Sequence, residues 1–243
     1  MSAKAQISST RNVLITASGG IPPGPLRTFK YVTEAKYGSR RHREGREAGI
    51  GQNRSMTATP SSEARYRREH PGEDAEVRSL VADAFADPQI GELVDRLRES
   101  PDWIDGLSFV AERDGRLVGH ILFTRGLLDA PRCLLDVLVL SPVSVATAFQ
   151  SKGTGSALIR YGLAQVAARA EPLVFLEGAP GFYRRFGFLP AGEHGFRRPS
   201  LRIPHAAFQV RLLPGYEEWM TGTLVYSRVF WDLDCVGLRD PEA

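Results

Sequence analysis

The segment from Leu138 to Leu158, LVLSPVSVATAFQSKGTGSAL, constrains the fold of this chain more than any other. An apolar run suited to a buried strand passes into a loop with two glycines, and the loop opens a helical pattern. The first backbone N–H groups of a helix have no partners within it, and the helix dipole adds positive potential there. A loop of this kind is an anion site by construction. Gly153 and Gly155 remove side chains where a pyrophosphate must approach the backbone. Thr154 and Ser156 can add hydroxyl donors, and Lys152 brings a positive charge. Two familiar phosphate loops are excluded. In the Walker pattern Lys-Ser/Thr follows the second glycine, whereas Lys152 precedes both. The dinucleotide fingerprint needs Gly or Ala where Leu158 stands, and only Glu171 and Glu177 lie in the region where its ribose-binding acid belongs. The competing reading is a helix start whose glycines serve tight packing, and a short glycine motif alone does not separate the two.

The composition of the whole chain is that of an ordinary globular protein, with 42% hydrophobic and 24% charged residues among 243. Its net charge of +3 is unevenly distributed. Residues 1–62 hold ten Lys/Arg and three Asp/Glu, giving +7, and the remainder is −4. The basic excess thus does not belong to the body, so nucleic acid is not an expected partner. No apolar run reaches the ~18–20 residues of a membrane span. Two cysteines, Cys133 and Cys235, are too few for a disulfide framework or thiolate metal site and read as reduced thiols of a cytoplasmic protein.

Residues 1–62 lack the pattern of a folded unit, with GGIPPGP at 19–25 and an Arg/His/Glu run at 39–46. Three readings stand: a basic disordered arm, a targeting segment, or an extension upstream of a natural start at Met56. Regular patterning begins at Arg65. A short strand there is followed by a helix opened by Pro71 to Asp74, with Val77, Leu80, Val81, Ala84 and Phe85 on one face. Asp87-Pro88 interrupts, and Ile90, Leu93, Val94 and Leu97 mark a second helix. Strands over 108–113 and 116–124 flank the turn signal Asp114-Gly115. An extended segment over 132–145 contains Pro142, which implies a bulge or an unpaired edge. A helix over 153–170, a strand over 172–176, a short helix over 180–186 and a strand over 208–213 complete the order. This predicts one α/β domain over about 65–231, a mixed, mostly antiparallel sheet flanked by helices, with a tail at 232–243.

Two motifs together now become specific. Gln150-Ser-Lys-Gly-Thr-Gly155 matches the Gln/Arg-x-x-Gly-x-Gly/Ala signature of the GNAT N-acetyltransferase superfamily, after a strand and before a helix. Pro180-Gly-Phe-Tyr183-Arg-Arg-Phe-Gly-Phe188 resembles a second hallmark, that of the predicted-acetyltransferase branch, whose C-terminal Gly-x-x-x-Tyr element corresponds to Gly222 to Tyr226. The resemblance covers about residues 65–231. Ser151 stands where glycine is usual and Thr147 where proline is usual. The resemblance implies a sheet splayed at the cofactor strand. It also implies acetyl-CoA as acyl donor, held by Val143, Val145, Gln150, Ser151, Lys152, Gly153, Thr154, Gly155, Ser156 and Pro180, without a metal. Backbone groups near Val143 and Val145 would pair with the pantetheine arm, and the acetyl group would pass directly to a primary amine of an acceptor the sequence does not name.

Tyr183 is the expected general acid. With a reference pKa of about 10, a tyrosine stays protonated at neutral pH and can donate to a departing thiolate. The competing reading is a packed aromatic whose hydroxyl bonds the backbone. For the base, Glu177 and Glu92 are the topological candidates, though each reads more simply as a solvated surface charge. Glu193, His194 and His205 read as loop residues, not metal ligands. Cys133 reads as a small buried hydrophobe and Trp103, Trp219 and Trp231 as packing residues. A non-catalytic acyl-CoA-binding module on the same fold is the alternative function. A nucleic-acid tether in the basic arm is a third, and a homodimer is compatible with the sequence.

Overall fold

The computed structural model describes residues 63–238, and the expected N-terminal extension lies outside the described residues. The chain begins with β1 (Arg65–Arg68), α1 (Asp74–Phe85) and α2 (Pro88–Arg98). The Asp87-Pro88 interruption is a junction between these two helices. Ala86 adopts a left-handed conformation that ends α1, the Asp87 carboxylate accepts from Gln89 N at 3.0 Å, and Pro88 takes the first helical position. Then come β2 (Ser108–Arg113) and β3 (Arg116–Asp129), joined at Asp114 and Gly115, both with positive φ as a type I′ hairpin turn requires. β3 runs five residues beyond the expected limit at Thr124, because its far end pairs on both sides.

β4 (Leu134–Val145) leads through the loop to α3 (Thr154–Val166), β5 (Leu173–Glu177) and the short α4 (Pro180–Tyr183). Two-residue strands β6 (Leu189–Pro190) and β7 (Phe196–Arg197), then β8 (Phe208–Leu212), β9 (Gly222–Val225) and α5 (Arg228–Asp232), complete the chain. The sheet order is β1-β2-β3-β4-β5-β8-β6, with β9 bridging β3 and β7. Only β4–β5 and β7–β9 are parallel pairs. The sheet is therefore mixed and mostly antiparallel.

Strand alternation divides the core between the two faces. Val137 and Val139 of β4 pack with the α1–α2 pair and α5, while Leu138 and Leu140 pack with α3 and α4. Because both faces are covered, β4 reads as a nearly continuous apolar run. Packing continues past residue 231, the expected domain limit. Leu233, Cys235 and Val236 are buried, so part of the expected tail belongs to the core. Cys133 is also not the buried strand residue expected. It is exposed, in the bend before β4.

A polar cluster lies between β1, β2, β3 and α2. The Ser108 hydroxyl bonds the Glu69 carboxylate and meets His120 Nε2 at 2.9 Å, and Arg98 pairs with Glu69 at 2.8 Å. His120 is fully buried, and burial, with a smaller contribution from the Arg98 charge, lowers its pKa to about 3. An unfolded histidine protonates near 6.5, so His120 contributes stability that is present above that pH and lost as pH falls toward 3. Below pH 6.5 this group alone should impose a slope approaching about 1.4 kcal/mol per pH unit. A His120→Gln variant, followed by denaturant unfolding between pH 7 and 5, should show a correspondingly flatter profile; an unchanged slope would refute this account.

Candidate active site

The site is built around a break in the β3–β4 ladder. Ile121 pairs with Val143 and Phe123 with Leu140, so Ser141 and Pro142 together stand opposite Leu122. This is the bulge Pro142 predicts. β4 pairs with β5 only at Leu138–Val174 and Val139–Phe175, after which the two strands part and β5 continues along β8 as far as Glu177.

Register determines what faces the opening. Antiparallel pairs alternate between those that exchange hydrogen bonds and those that do not. Ala146 N donates to Val118 O at 2.9 Å, so Ala146 and Ser144 direct their backbone groups to β3. Val143 and Val145 then direct theirs away from β3, toward the gap. The Val145 carbonyl confirms the direction, since it accepts from Gln150 Nε2 at 2.9 Å. Gln150 thus pins the loop to the strand end.

The loop then turns through positive φ at Ser151 (61°) and Gly153 (89°). A Cβ at Gly153 would meet nothing within 4 Å, so the glycine is required there by backbone conformation and not by space. Ser151 adopts the left-handed conformation despite its side chain, which a glycine would occupy with less strain. α3 has no side-chain cap, and the amides of Thr154, Gly155 and Ser156 in its first turn have no intrahelical acceptor. The Lys152 ammonium donates to Ala148 O at 2.8 Å and lies 5.8 Å from the Phe149 ring, so it rigidifies the loop while adding positive potential.

Pro180 opens α4 and Tyr183 closes it. The Tyr183 ring is buried, edge-on to Phe182 and Phe188, and lies so close to Gly178 that a Cβ there would stand 2.2 Å from Cε2. Gly178 therefore seats the ring. Between Tyr183 and the parted strands lies a cavity of about 80 Å³, lined by Leu140 to Val143, Glu177, Tyr183, Tyr226, Cys235 and apolar side chains of α1, α2 and α5.

Glu177 is not the solvated surface charge expected. It is half-buried at the end of β5 and lines the cavity. Burial pushes its carboxyl up to about 7, while the Tyr226 hydroxyl, the Gly237 N–H and the Arg202 charge pull the other way without cancelling the burial. Glu92, the other expected candidate, is exposed on α2 and does not line the cavity. Phe230 and Cys235 were not among the expected site residues. Ser227, whose hydroxyl accepts from Val229 N at 3.4 Å, is the N-cap signal that could have revealed the short helix bearing Phe230.

The family model for the acetyltransferase (GNAT) domain matches residues 65–191. This chain belongs to the GNAT family. An uncharacterized N-acetyltransferase, YjhQ of Escherichia coli K12, is 34% identical over 130 residues, covering 51% of this chain and 70% of the relative. Two solved GNAT structures share the fold. E. coli YhbS in complex with CoA has a TM-score of 0.64 at 26% identity, covering 72% of this chain and 96% of its own. A Brucella melitensis GNAT acetyltransferase in complex with acetyl-CoA has a TM-score of 0.56 at 33% identity, covering 69% and 98%. Among the described residues of this GNAT chain, no helix is long and apolar enough to cross a membrane.

The Glu177 shift has a thermodynamic consequence. Its folded pKa lies above the ordinary glutamate value of 4.5, so ionising it in the folded state opposes stability, in part above 4.5 and in full above about 7. A Glu177→Gln variant should therefore melt higher than wild type at pH 8. The difference should shrink as pH falls toward 4.5, and an equal or lower melting temperature at pH 8 would contradict the assignment.

Proposed function

We propose that this GNAT protein transfers the acetyl group of acetyl-CoA directly to a primary amine. One observation carries the reading: the amides of Val143 and Val145 face a gap between parted strands, beside the uncapped N-terminus of α3. A chain of alternating amides and carbonyls, such as pantetheine, can fill that gap as an extra strand. The first-turn amides of α3, with the Gly153–Ser156 segment, hold the pyrophosphate. The CoA and acetyl-CoA complexes of the two related GNAT structures support the same donor.

With the thioester carbonyl against the Val143 or Val145 N–H, that donor stabilises the oxyanion. A single oxyanion donor of this kind is worth about 10²–10³ in rate. The amine attacks the carbonyl carbon, the C–N bond forms and the C–S bond breaks. Tyr183, on the other wall of the cavity, protonates the departing sulfur. Its buried ring and close seating on Gly178 keep it in one orientation. A non-catalytic acyl-CoA-binding module would share the loop and the gap; the chemistry at Tyr183 separates the two readings.

Titration calorimetry of acetyl-CoA into wild type and Gly155→Glu tests the loop, since glutamate places bulk and negative charge against the pyrophosphate. Wild type should bind in the micromolar range and the variant should lose binding while its melting temperature stays close to wild type. A Tyr183→Phe variant should bind acetyl-CoA normally and lose about 10²-fold or more in turnover. Normal turnover in that variant would overturn the acid role, and no binding by wild type would overturn the transfer reading.

A further inference from the structure

We infer that the cavity between α2, α5 and the bulge of β4 is the acceptor site, that it takes a compact apolar primary amine, an alkylamine or arylalkylamine, and that Glu177 receives the ammonium proton. This rests on the acetyl-transfer reading above.

The lining carries the first half of the inference. Phe85 of α1, Ile90 and Leu93 of α2, Val139 of β4 and Phe230 of α5 form the walls. The one carboxylate among the lining residues is Glu177, and the lining contains no basic side chain. A polyamine, an aminoglycoside or a lysine-bearing peptide brings further charges for which the lining offers no second carboxylate, which costs free energy on transfer from water. An apolar amine brings one cationic head, for which Glu177 is the single counter-charge, and a hydrocarbon body suited to the aromatic and aliphatic walls. The cavity of about 80 Å³ suits a compact body.

The second half follows from what surrounds Glu177. The Tyr226 hydroxyl and the Gly237 N–H bond its carboxyl, and the Arg202 charge acts on it as well. Arg202 is itself paired with Asp234 at 2.7 Å, which weakens its hold on Glu177. Tyr183 and Cys235 are the remaining titratable groups facing the cavity. A carboxylate so placed is ionised in part at neutral pH and basic enough to accept a proton. The proton balance closes. An ammonium that becomes an amide loses two protons. The first passes to Glu177, which later releases it to solvent. The second, lost as the tetrahedral adduct collapses, replaces the one that Tyr183 gives to the CoA sulfur.

The test measures acetyl-CoA binding by calorimetry, then steady-state acetylation of phenethylamine, benzylamine and hexylamine beside spermidine, kanamycin and an Nα-acetyl-lysine peptide. Apolar amines should exceed the others in kcat/KM by about tenfold or more. Glu177→Gln should bind acetyl-CoA within about twofold of wild type and lose about 10²-fold in kcat, together with the acidic limb of the pH profile near 7. Tyr226→Phe removes a bond that favours the carboxylate and should move that limb to higher pH, a shift that loss of packing alone does not produce. If wild type does not bind acetyl-CoA, the transfer reading fails and this inference falls with it. If it binds acetyl-CoA but prefers spermidine, kanamycin or the peptide, or acetylates no apolar amine, only the acceptor assignment is overturned. A Glu177→Gln variant that keeps both rate and limb overturns the proton role.

Discussion

The parting of β4 from β5 is the constraint on which the rest of this structure depends. A sheet interior ordinarily leaves no backbone group unpaired, because an unsatisfied amide or carbonyl away from water is costly. Here the parallel ladder stops after two residue pairs, and β4 bulges at Ser141 and Pro142 beyond that point. Pro142 cannot donate a backbone hydrogen bond, so the break is written into the strand itself. Of the groups of Val143 and Val145 that face away from β3, the Val145 carbonyl is taken by Gln150, and the others face the gap that the proposed function gives to the cofactor. In a closed sheet those positions would be filled by a neighbouring strand, and no gap would reach from the helix terminus to the cavity.

The two ends of the gap are built differently. At one end, Gln150 ties the loop back to the Val145 carbonyl, and the positive φ values of Ser151 and Gly153 turn the first amides of α3 outward. That end is polar and exposed, suited to a charged group that keeps part of its hydration. At the other end, residues of α1, α2 and α5 close over the bulge, and the surroundings are apolar except for Ser141, Glu177, Tyr183, Tyr226 and Cys235. Electrostatic interactions are stronger in such surroundings than in water. In the proposed function, the same strand geometry would anchor a phosphate where water is available and confine bond exchange where it is scarce.

Much of this was legible along the chain, for physical reasons that differ from residue to residue. The hairpin turn, the α1–α2 junction and the bulge were readable because Asp-Gly, Asp-Pro and a mid-strand proline act locally. The mixed sheet followed from the order of the periodic segments, and the loop between β4 and α3 from its glycine placement. The cavity walls were not legible. Phe85 and Ile90 sit on helical faces that sequence assigns to the core without saying which part, and Phe230 and Cys235 come from a segment expected to end the domain. Glu177 is the sharpest case. A glutamate at a strand end is solvated by default, and only the convergence of Tyr226, Gly237 and Arg202 from distant segments shows that it is enclosed. Cys133 erred in the opposite direction, since the bend before β4 leaves it exposed.

Two enclosed titratable groups make the difference between scaffold and site concrete. His120 sits among Ser108, Glu69 and Arg98, fully buried, and its environment favours the neutral form far into acid. It stays neutral at neutral pH, and through Ser108, Glu69 and Arg98 it joins β2 and β3 to α2. Glu177 is shifted by the same cause, desolvation, but its carboxyl titrates near neutrality and opens onto a cavity. Ionising it opposes folding, a cost that no purely structural carboxyl needs to impose, because glutamine would fill the same volume and keep a hydrogen-bond acceptor for Tyr226. A carboxyl that carries this cost, at a cavity wall and among partners that orient it, fits the proton acceptor proposed above. The contrast between the two groups rests on access: burial alone silences His120, whereas burial with an opening makes Glu177 responsive.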